Sequence, residues 1–288
     1  MAELKLGKYH GTGNDFVMIE DPDGEISLSE RLVAALCDRR FGVGADGLIR
    51  VMRADDADFF MDYYNADGST AEMCGNGIRC LGKLVFEHGL TGKTEIAVMT
   101  RAGLKHLSLH TRGSEVESVT VDMGHPAFTK AEIPMRGPAW ETFLEQPIKA
   151  GGMTLTGSAV SMGNPHLVLF VDGDPEQVEV ERIGPELEYS SMFPERTNVE
   201  FVVISDGQLN ARVWERGIGE TMACGTGACA VLVAANEAGL APARADVRFP
   251  GGVLDVERRD DGVLLTGPAV RVFEGTLDPA WLAETAPS

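Results

Sequence analysis

Apolar positions along the chain keep two rhythms. Alternation with period two marks half-buried strands at 94–99, 104–110, 118–123, 198–204, 209–214, 246–249, 252–256 and 263–265, and 59–64 reads as another strand. Apolar runs at 16–19 and 167–170 read as further strands, as does Leu48-Ile49-Arg50-Val51 after the glycine-rich connection 41–47. Helical spacing is rarer. Leu28, Leu32, Ala35 and Leu36 share one face, and Ser27-Leu28-Ser29-Glu30 fits a capping box, so a first helix is predicted to end near Arg40. After Cys74, the positions Ile78, Leu81 and Val85 predict a second helix closed by Gly89. After Cys224, Ala228, Val231, Leu232 and Ala235 predict another that stops at Gly239 and is apolar almost all round, hence buried in the middle of its domain. A short terminal helix is expected over 278–283, before a ragged end at 285–288, and the Pro-, Gly- and Trp-bearing stretch 134–146 reads as a surface excursion. Many strands around one central helix per half predict an α+β fold.

The two central helices open on the same words. Cys74-Gly75-Asn76-Gly77 and Cys224-Gly225-Thr226-Gly227 both read Cys-Gly-x-Gly, and their offset (224 − 74 = 150) also pairs Gly13 with Gly163, Asn14 with Asn164, Glu87 with Glu237, Gly89 with Gly239 and Leu90 with Leu240. Tyr64 and Trp214 are a similar pair. A duplicated unit is the reading, with the crossover near Gly124-His125-Pro126 separating domains 1–124 and 125–275. Halves facing each other across a pseudo-twofold axis bring the two cysteines together at a cleft between the domains.

Opposed thiols have a definite use. Inverting a carbon centre requires a base on one face and an acid on the other, and a thiolate and a thiol exchange those roles with each turnover. The first N–H groups of a helix and its positive dipole end lower a thiol pKa and hold a carboxylate. Charge that flows onto that carboxylate when the α-proton leaves is stabilised there, so the scheme requires no electron-sink cofactor. A single cysteine in an apolar setting is ordinarily a core residue. Two copies of one motif at a shared offset argue for function, whereas Cys37, Cys80 and Cys229 have no repeat partner and read as structural.

Composition narrows the partners. The 288 residues carry 44 acidic against 25 basic side chains, a formal charge of −19, which disfavours an extended nucleic-acid or anionic-membrane surface. Five cysteines, no apolar core within Met1 to His10 and no apolar run near the ~20 residues of a membrane span predict a reduced, cytoplasmic protein. No C-x₂-C pair is present, so no metal site is expected. Oxidation would join Cys74 to Cys224 as inactivation rather than function. Polar candidates cluster before the helices: Asn65 and Glu215 occupy equivalent places, Arg216 follows, and Asn14 and Asn164 stand at the mouths of apolar strands. Arg216 is suited to a carboxylate, Glu215 to an ammonium group, and Asn65, Asn164 and Asn198 to fixing geometry.

Six blocks carry a resemblance: His10-Gly11-Thr12-Gly13-Asn14-Asp15-Phe16, Asn65-Ala66-Asp67-Gly68-Ser69, Met73 to Cys80, Gly163-Asn164-Pro165-His166, Glu195 to Glu200, and Trp214-Glu215-Arg216-Gly217 with Ala223 to Gly227. Together they resemble the diaminopimelate epimerase family. The resemblance implies cofactor-independent interconversion of LL- and meso-2,6-diaminopimelate in lysine and peptidoglycan-precursor synthesis. It implies Cys74 and Cys224 as the catalytic bases, Cys224 abstracting and Cys74 donating in the LL-to-meso direction, with His166 assisting and Glu215 also among the catalytic positions. Gly75, Asn76, Gly225 and Thr226 would hold the reacting carboxylate, and Asn14, Asn65, Asn164, Asn198, Glu215 and Arg216 match substrate-binding positions. A homodimer is likewise implied, as is an N-terminal domain completed by 276–288. One departure is Gly47, where some members carry a glutamine ligand, leaving a backbone group or water to substitute. Proline racemases share the two-thiol logic but handle smaller substrates.

Overall fold

A computed structural model describes residues 4–205 and 207–285; the rest of the expected ragged end, 286–288, lies outside them. In chain order the first elements are β1 (Lys5–Gly11), β2 (Asn14–Glu20), α1 (Glu30–Cys37), β3 (Gly47–Met52), β4 (Phe59–Asn65), α2 (Gly75–Glu87), β5 (Glu95–Thr100), β6 (Gly103–Arg112) and β7 (Glu115–Asp122). There follow β8 (Gln146–Ala150), β9 (Met153–Ser161), β10 (Pro165–Phe170), α3 (Val180–Glu188), β11 (Asn198–Ser205), β12 (Gln208–Glu215), β13 (Gly219–Thr221) and α4 (Gly225–Glu237). The chain closes with β14 (Arg244–Phe249), β15 (Gly252–Arg259), β16 (Gly262–Gly267), β17 (Val270–Thr276) and α5 (Pro279–Thr285). Two compact units result, one of residues 1–121 with 267–288, the other of 122–266.

Each unit repeats one topology. In the first, the ladder runs β17-β1-β2-β3-β4-β5-β6-β7, with β2–β3 and β4–β5 parallel and the other neighbours antiparallel. In the second it runs β8-β9-β10-β11-β12-β14-β15-β16, with β10–β11 and β12–β14 parallel in the same places. The short β13 adds to β12. The α+β architecture of a duplicated unit, mostly antiparallel and wrapped around a central helix, is therefore the observed one.

Strands β2 and β10 bury consecutive side chains on both faces of their sheets, which is why they read as continuous apolar runs. On β2, Val17 and Ile19 pack with Leu32, Val33 and Leu36 of α1. Phe16 turns the other way, towards the first turn of α2, where a Cβ on Gly77 would meet Phe16, Ile49 and Met61. On β10, Leu167 and Leu169 join Ile183 and Leu187 of α3 in the corresponding cluster. The central helices are enclosed accordingly: Gly75 to Val85 of α2 are all buried, as are Gly227 to Ala235 of α4.

Several local expectations are corrected. Ser29, not Ser27, caps α1, its hydroxyl accepting from Leu32 N–H at 3.2 Å, and the helix ends at Cys37 because Asp38 turns the chain through bonds from the N–H groups of Arg40 and Phe41. The stretch 134–146 is not purely superficial, since Met135 and Phe143 enter the core beside α3. Helix α3 itself was not predicted. Its Pro185 and its charged residues hide a narrow apolar stripe of Val180, Ile183 and Leu187. The terminal helix forms as expected, with the Asp278 carboxylate accepting from Ala280 N–H at 2.7 Å.

Candidate active site

Wrapping a helix on all sides leaves its end as the only part that can meet a ligand. Cys74 and Cys224 hold equivalent N-cap positions of α2 and α4, both with extended backbone (φ −136°, ψ 120° and φ −123°, ψ 124°). The residues behind them, Gly75-Asn76 and Gly225-Thr226, supply first-turn N–H groups for which a helix has no internal acceptor.

In the first unit, β1 and β2 are joined by a two-residue turn, Thr12-Gly13, with positive φ at both (51° and 84°), the geometry that matches strand twist. Thr12 is tied to α2 by a bond from its hydroxyl to Asn76 Oδ1 (3.3 Å) and one from the buried Arg79 (3.4 Å). This sets Asn14 over the helix start, where its Oδ1 accepts from Cys74 Sγ (3.4 Å) and Asn76 Nδ2 (3.3 Å). Its Nδ2 donates to Asp46 at 2.8 Å. Asp46 is held in turn by Arg39, which also binds Asp15, itself paired with Lys8 at 2.6 Å. Burial alone would raise the Asp15 carboxyl, but the bonds from Arg39 and Lys8 outweigh it and hold the group well below the usual carboxylate range. Asn65 ends β4 in a tight turn, its Nδ2 donating to Ser69 Oγ at 3.0 Å. At Gly47 a Cβ would sit 2.5 Å from the Tyr64 carbonyl and 2.8 Å from the Tyr63 ring, so aromatic and backbone atoms fill the space a longer residue would take.

In the second unit, Cys224 Sγ accepts from Gly227 N–H (3.3 Å) and lies 3.4 Å from Thr226 Oγ1. Asn164 Oδ1 is 3.0 Å from His166 Nε2, and His166 Nδ1 is 2.7 Å from Glu200 Oε1. Asn198 spends both ends of its amide on the scaffold, donating to the Pro165 carbonyl (2.9 Å) and accepting from Arg216 N–H (2.9 Å). Glu215 accepts from Thr221 Oγ1, and Arg216 reaches the Glu195 carbonyl at 3.2 Å from an exposed position. Within each unit, then, the named residues gather at one helix end: Cys74, Gly75, Asn76 and Asn14 in the first, Cys224, Gly225, Thr226, Asn164 and His166 in the second. Glu200 was not anticipated. It occupies a strand whose alternation makes a glutamate look like a solvent-facing position.

The helix-end argument predicts lowered thiol pKa values, and at Cys224 the opposite holds. Burial pushes this thiol well above its ordinary value, with the nearby charges of Glu215 and Glu200 adding to the rise and the bonds from Thr226 and Gly227 only partly offsetting it. Burial also pushes Cys37 up to about 11 and Cys80 up to about 12, which suits the inert core roles assigned to them. Among the described residues no group of three or more His, Cys, Asp or Glu side chains could hold a metal ion, and no helix is long and apolar enough to cross a membrane.

Solved structures share the fold at low sequence identity. A probable proline racemase from Agrobacterium radiobacter matches with a TM-score of 0.72 at 16% identity, over 98% of this chain and 97% of its own. A hydroxyproline epimerase from Agrobacterium vitis matches at 0.69 and 16%, over 99% and 96%. A PhzF-family phenazine biosynthesis protein from Bacillus anthracis matches at 0.69 and 18%, over 96% and 100%. The architecture is thus that of a widely used duplicated α+β class. Sequence narrows it: the diaminopimelate epimerase family model matches residues 6–129 and 158–272. A diaminopimelate epimerase from Desulforudis audaxviator is 47% identical over 280 residues, covering 94% of this chain and 98% of that protein. One from Acetivibrio thermocellus is 44% identical over 278 residues, covering 96% and 99%. The chain belongs to the diaminopimelate epimerase family.

A raised pKa keeps the Cys224 thiol protonated at neutral pH, so thiolate appears there only as the pH climbs past the ordinary range. In the ligand-free protein near pH 7, iodoacetamide is expected to label the half-exposed Cys74 before Cys224, and the core cysteines last, as read by peptide mass mapping. Faster labelling of Cys224 would contradict the desolvation argument.

Proposed function

We propose that this chain is an amino-acid epimerase of the isomerase class that interconverts LL- and meso-2,6-diaminopimelate, in lysine and peptidoglycan-precursor biosynthesis, by passing protons through Cys74 and Cys224. The observation that carries the reading is the cysteine at the N-cap of each central helix; family membership supplies the substrate.

The chemistry balances with two thiols. In the LL-to-meso direction Cys224, as thiolate, takes the α-proton, and the C–H electron pair moves onto the α-carboxylate. Cys74, as thiol, gives its proton to the opposite face, and the two cysteines end with their roles exchanged. First-turn N–H groups of Gly75, Asn76, Gly225 and Thr226 hold that carboxylate and bind it more strongly as charge accumulates, so the scheme needs no cofactor. Glu215 receives the α-ammonium group. Because Glu215 is, after burial, the next cause of the raised Cys224 pKa, a substrate cation beside it lowers the cost of forming the thiolate when it is needed. Arg216 takes a carboxylate, Asn14, Asn65 and Asn164 orient the substrate, Asn198 steadies Arg216, and His166 assists from beneath Asn164.

The same reading includes a cytoplasmic homodimer. Strand β17 is exposed along its whole length although Val270, Val272 and Phe273 lie on it, and it pairs with β1 on one side, an apolar strand suited to a second copy of the chain. Phe273→Asp is expected to turn a dimer into a monomer in sedimentation; a wild-type monomer at micromolar concentration would contradict it.

Cys74→Ala and Cys224→Ala should each lower kcat by at least about 10²–10⁴-fold, the usual range for a lost acid or base, while the melting temperature stays near that of the wild type. Proline and 4-hydroxyproline should not turn over. A single variant with near-normal turnover in both directions would rule out the two-thiol scheme.

A further inference from the structure

Beneath the start of α4 lies a buried acid that the scheme above does not use. Glu200 and His166 are fully buried on the neighbouring parallel strands β11 and β10, where Glu200 registers with Val168 and His166 with Asn198. Glu200 Oε1 lies 2.7 Å from His166 Nδ1, and Oε2 has no hydrogen-bond partner. The first turn of α4 closes directly on this carboxyl: a Cβ on Gly227 would come within 2.8 Å of Oε1. Glycine at that position lets the carboxyl sit under the helix end, whose dipole favours negative charge.

The geometry decides where the protons are. His166 has an acceptor at each ring nitrogen, Glu200 Oε1 at Nδ1 and Asn164 Oδ1 at Nε2. Two proton arrangements satisfy both contacts: an imidazolium with an ionised Glu200, or an imidazole protonated at Nε2 with a carboxylic acid donating to Nδ1. Both contain the same number of protons, both leave the pair neutral overall, as full burial requires, and both put a hydrogen on Nε2. A neutral imidazole protonated only at Nδ1 would leave a net buried negative charge beside Cys224 and set two lone pairs against each other across 3.0 Å.

We propose that Glu200 is a positioning residue that keeps His166 a donor at Nε2 and thereby locks Asn164 with its oxygen turned inwards and its amide N–H groups left for the substrate carboxylate. The inference rests on the substrate-binding role given above to Asn164. It accounts for an asymmetry between the repeats. The positions 150 residues before His166 and Glu200 are Phe16 and Arg50, and Arg50 turns to Asp62 (2.8 Å). There the matching asparagine, Asn14, is fixed the opposite way, its nitrogen on Asp46 and its oxygen towards Cys74. One repeat thus presents an amide oxygen to its thiol and the other presents amide hydrogens to the substrate.

Two measurements test this on the full-length protein. The first is ¹⁵N NMR of His166 in ligand-free enzyme at neutral pH, which is expected to show Nε2 protonated. A bare Nε2 with the hydrogen on Nδ1 would overturn the proposal, because Asn164 would then have to be flipped. The second compares Glu200→Leu with Glu200→Gln. The leucine variant is expected to lose about 10- to 100-fold in kcat/KM for LL-diaminopimelate, the usual effect of one misplaced hydrogen bond to a charged group. Glutamine is expected to recover most of that loss, because its amide N–H can donate to Nδ1 and preserve the Nε2–H form. Wild-type kcat/KM in a folded leucine variant, or equal losses in both variants, would overturn the role; if the leucine variant fails to fold, the NMR result decides. The NMR readout needs no turnover, so it stands apart from the epimerase reading, which fails only if wild-type enzyme does not epimerise the substrate.

Discussion

A helix buried on every side can act on a ligand only at its ends, and that constraint organises both units. Helices α2 and α4 are enclosed by their sheets, so the first turn carries the only backbone N–H groups open to chemistry. Close wrapping demands small residues there. Gly77 lies against Ile49, Met61 and Phe16, and Gly227 against the carboxyl of Glu200 and the side chain of Cys224. The repeated Cys-Gly-x-Gly motif is therefore a packing requirement, with the cysteine at the N-cap and the glycines making room for what lies beneath, at the same helix end that the proposed chemistry uses.

The two units keep one topology and differ under the helix end. In the first the floor is apolar and the orienting network is an ionic one of Asp15, Arg39 and Asp46. In the second the floor is the His166–Glu200 pair. In the two-thiol scheme proposed above, inversion of one carbon in a substrate whose α-substituents differ calls for unequal surroundings of the two bases, and this divergence would supply them. It also bears on acidity. Burial, with Glu215 and Glu200 nearby, holds the Cys224 thiol against ionisation, so in the proposed scheme it would be a substrate cation beside Glu215 that makes it a base.

Much of this was legible in the chain. The doubled motif, the 150-residue offset and the apolar second helix identified the central elements, because burial on all sides leaves a composition that periodicity detects. The six motif blocks identified the family. What escaped had weak local signals. Helix α3 carries Pro185 and many charges, and β17 owes its strand to pairing with β1 rather than to its own alternation. Glu200 escaped because a glutamate between Val199 and Phe201 looks like the polar side of a strand, and only the fold shows that side facing α4. The Cys224 pKa runs opposite to expectation because desolvation, which no local pattern reports, outweighs the bonds from Thr226 and the Gly227 N–H.

The central claim is that two thiols, not one, carry the proton, and its most direct test is the isotopic content of the first product formed. Protiated LL-diaminopimelate would be incubated with reduced, pyridoxal-free enzyme in D₂O and followed by NMR at early conversion. The two-base account predicts meso product bearing deuterium at the inverted α-carbon from the outset, while unreacted LL substrate keeps its protium. Early meso product that retains protium, with deuterium entering the LL pool at a comparable rate, would mean that a single base returns the proton to either face and would contradict the account.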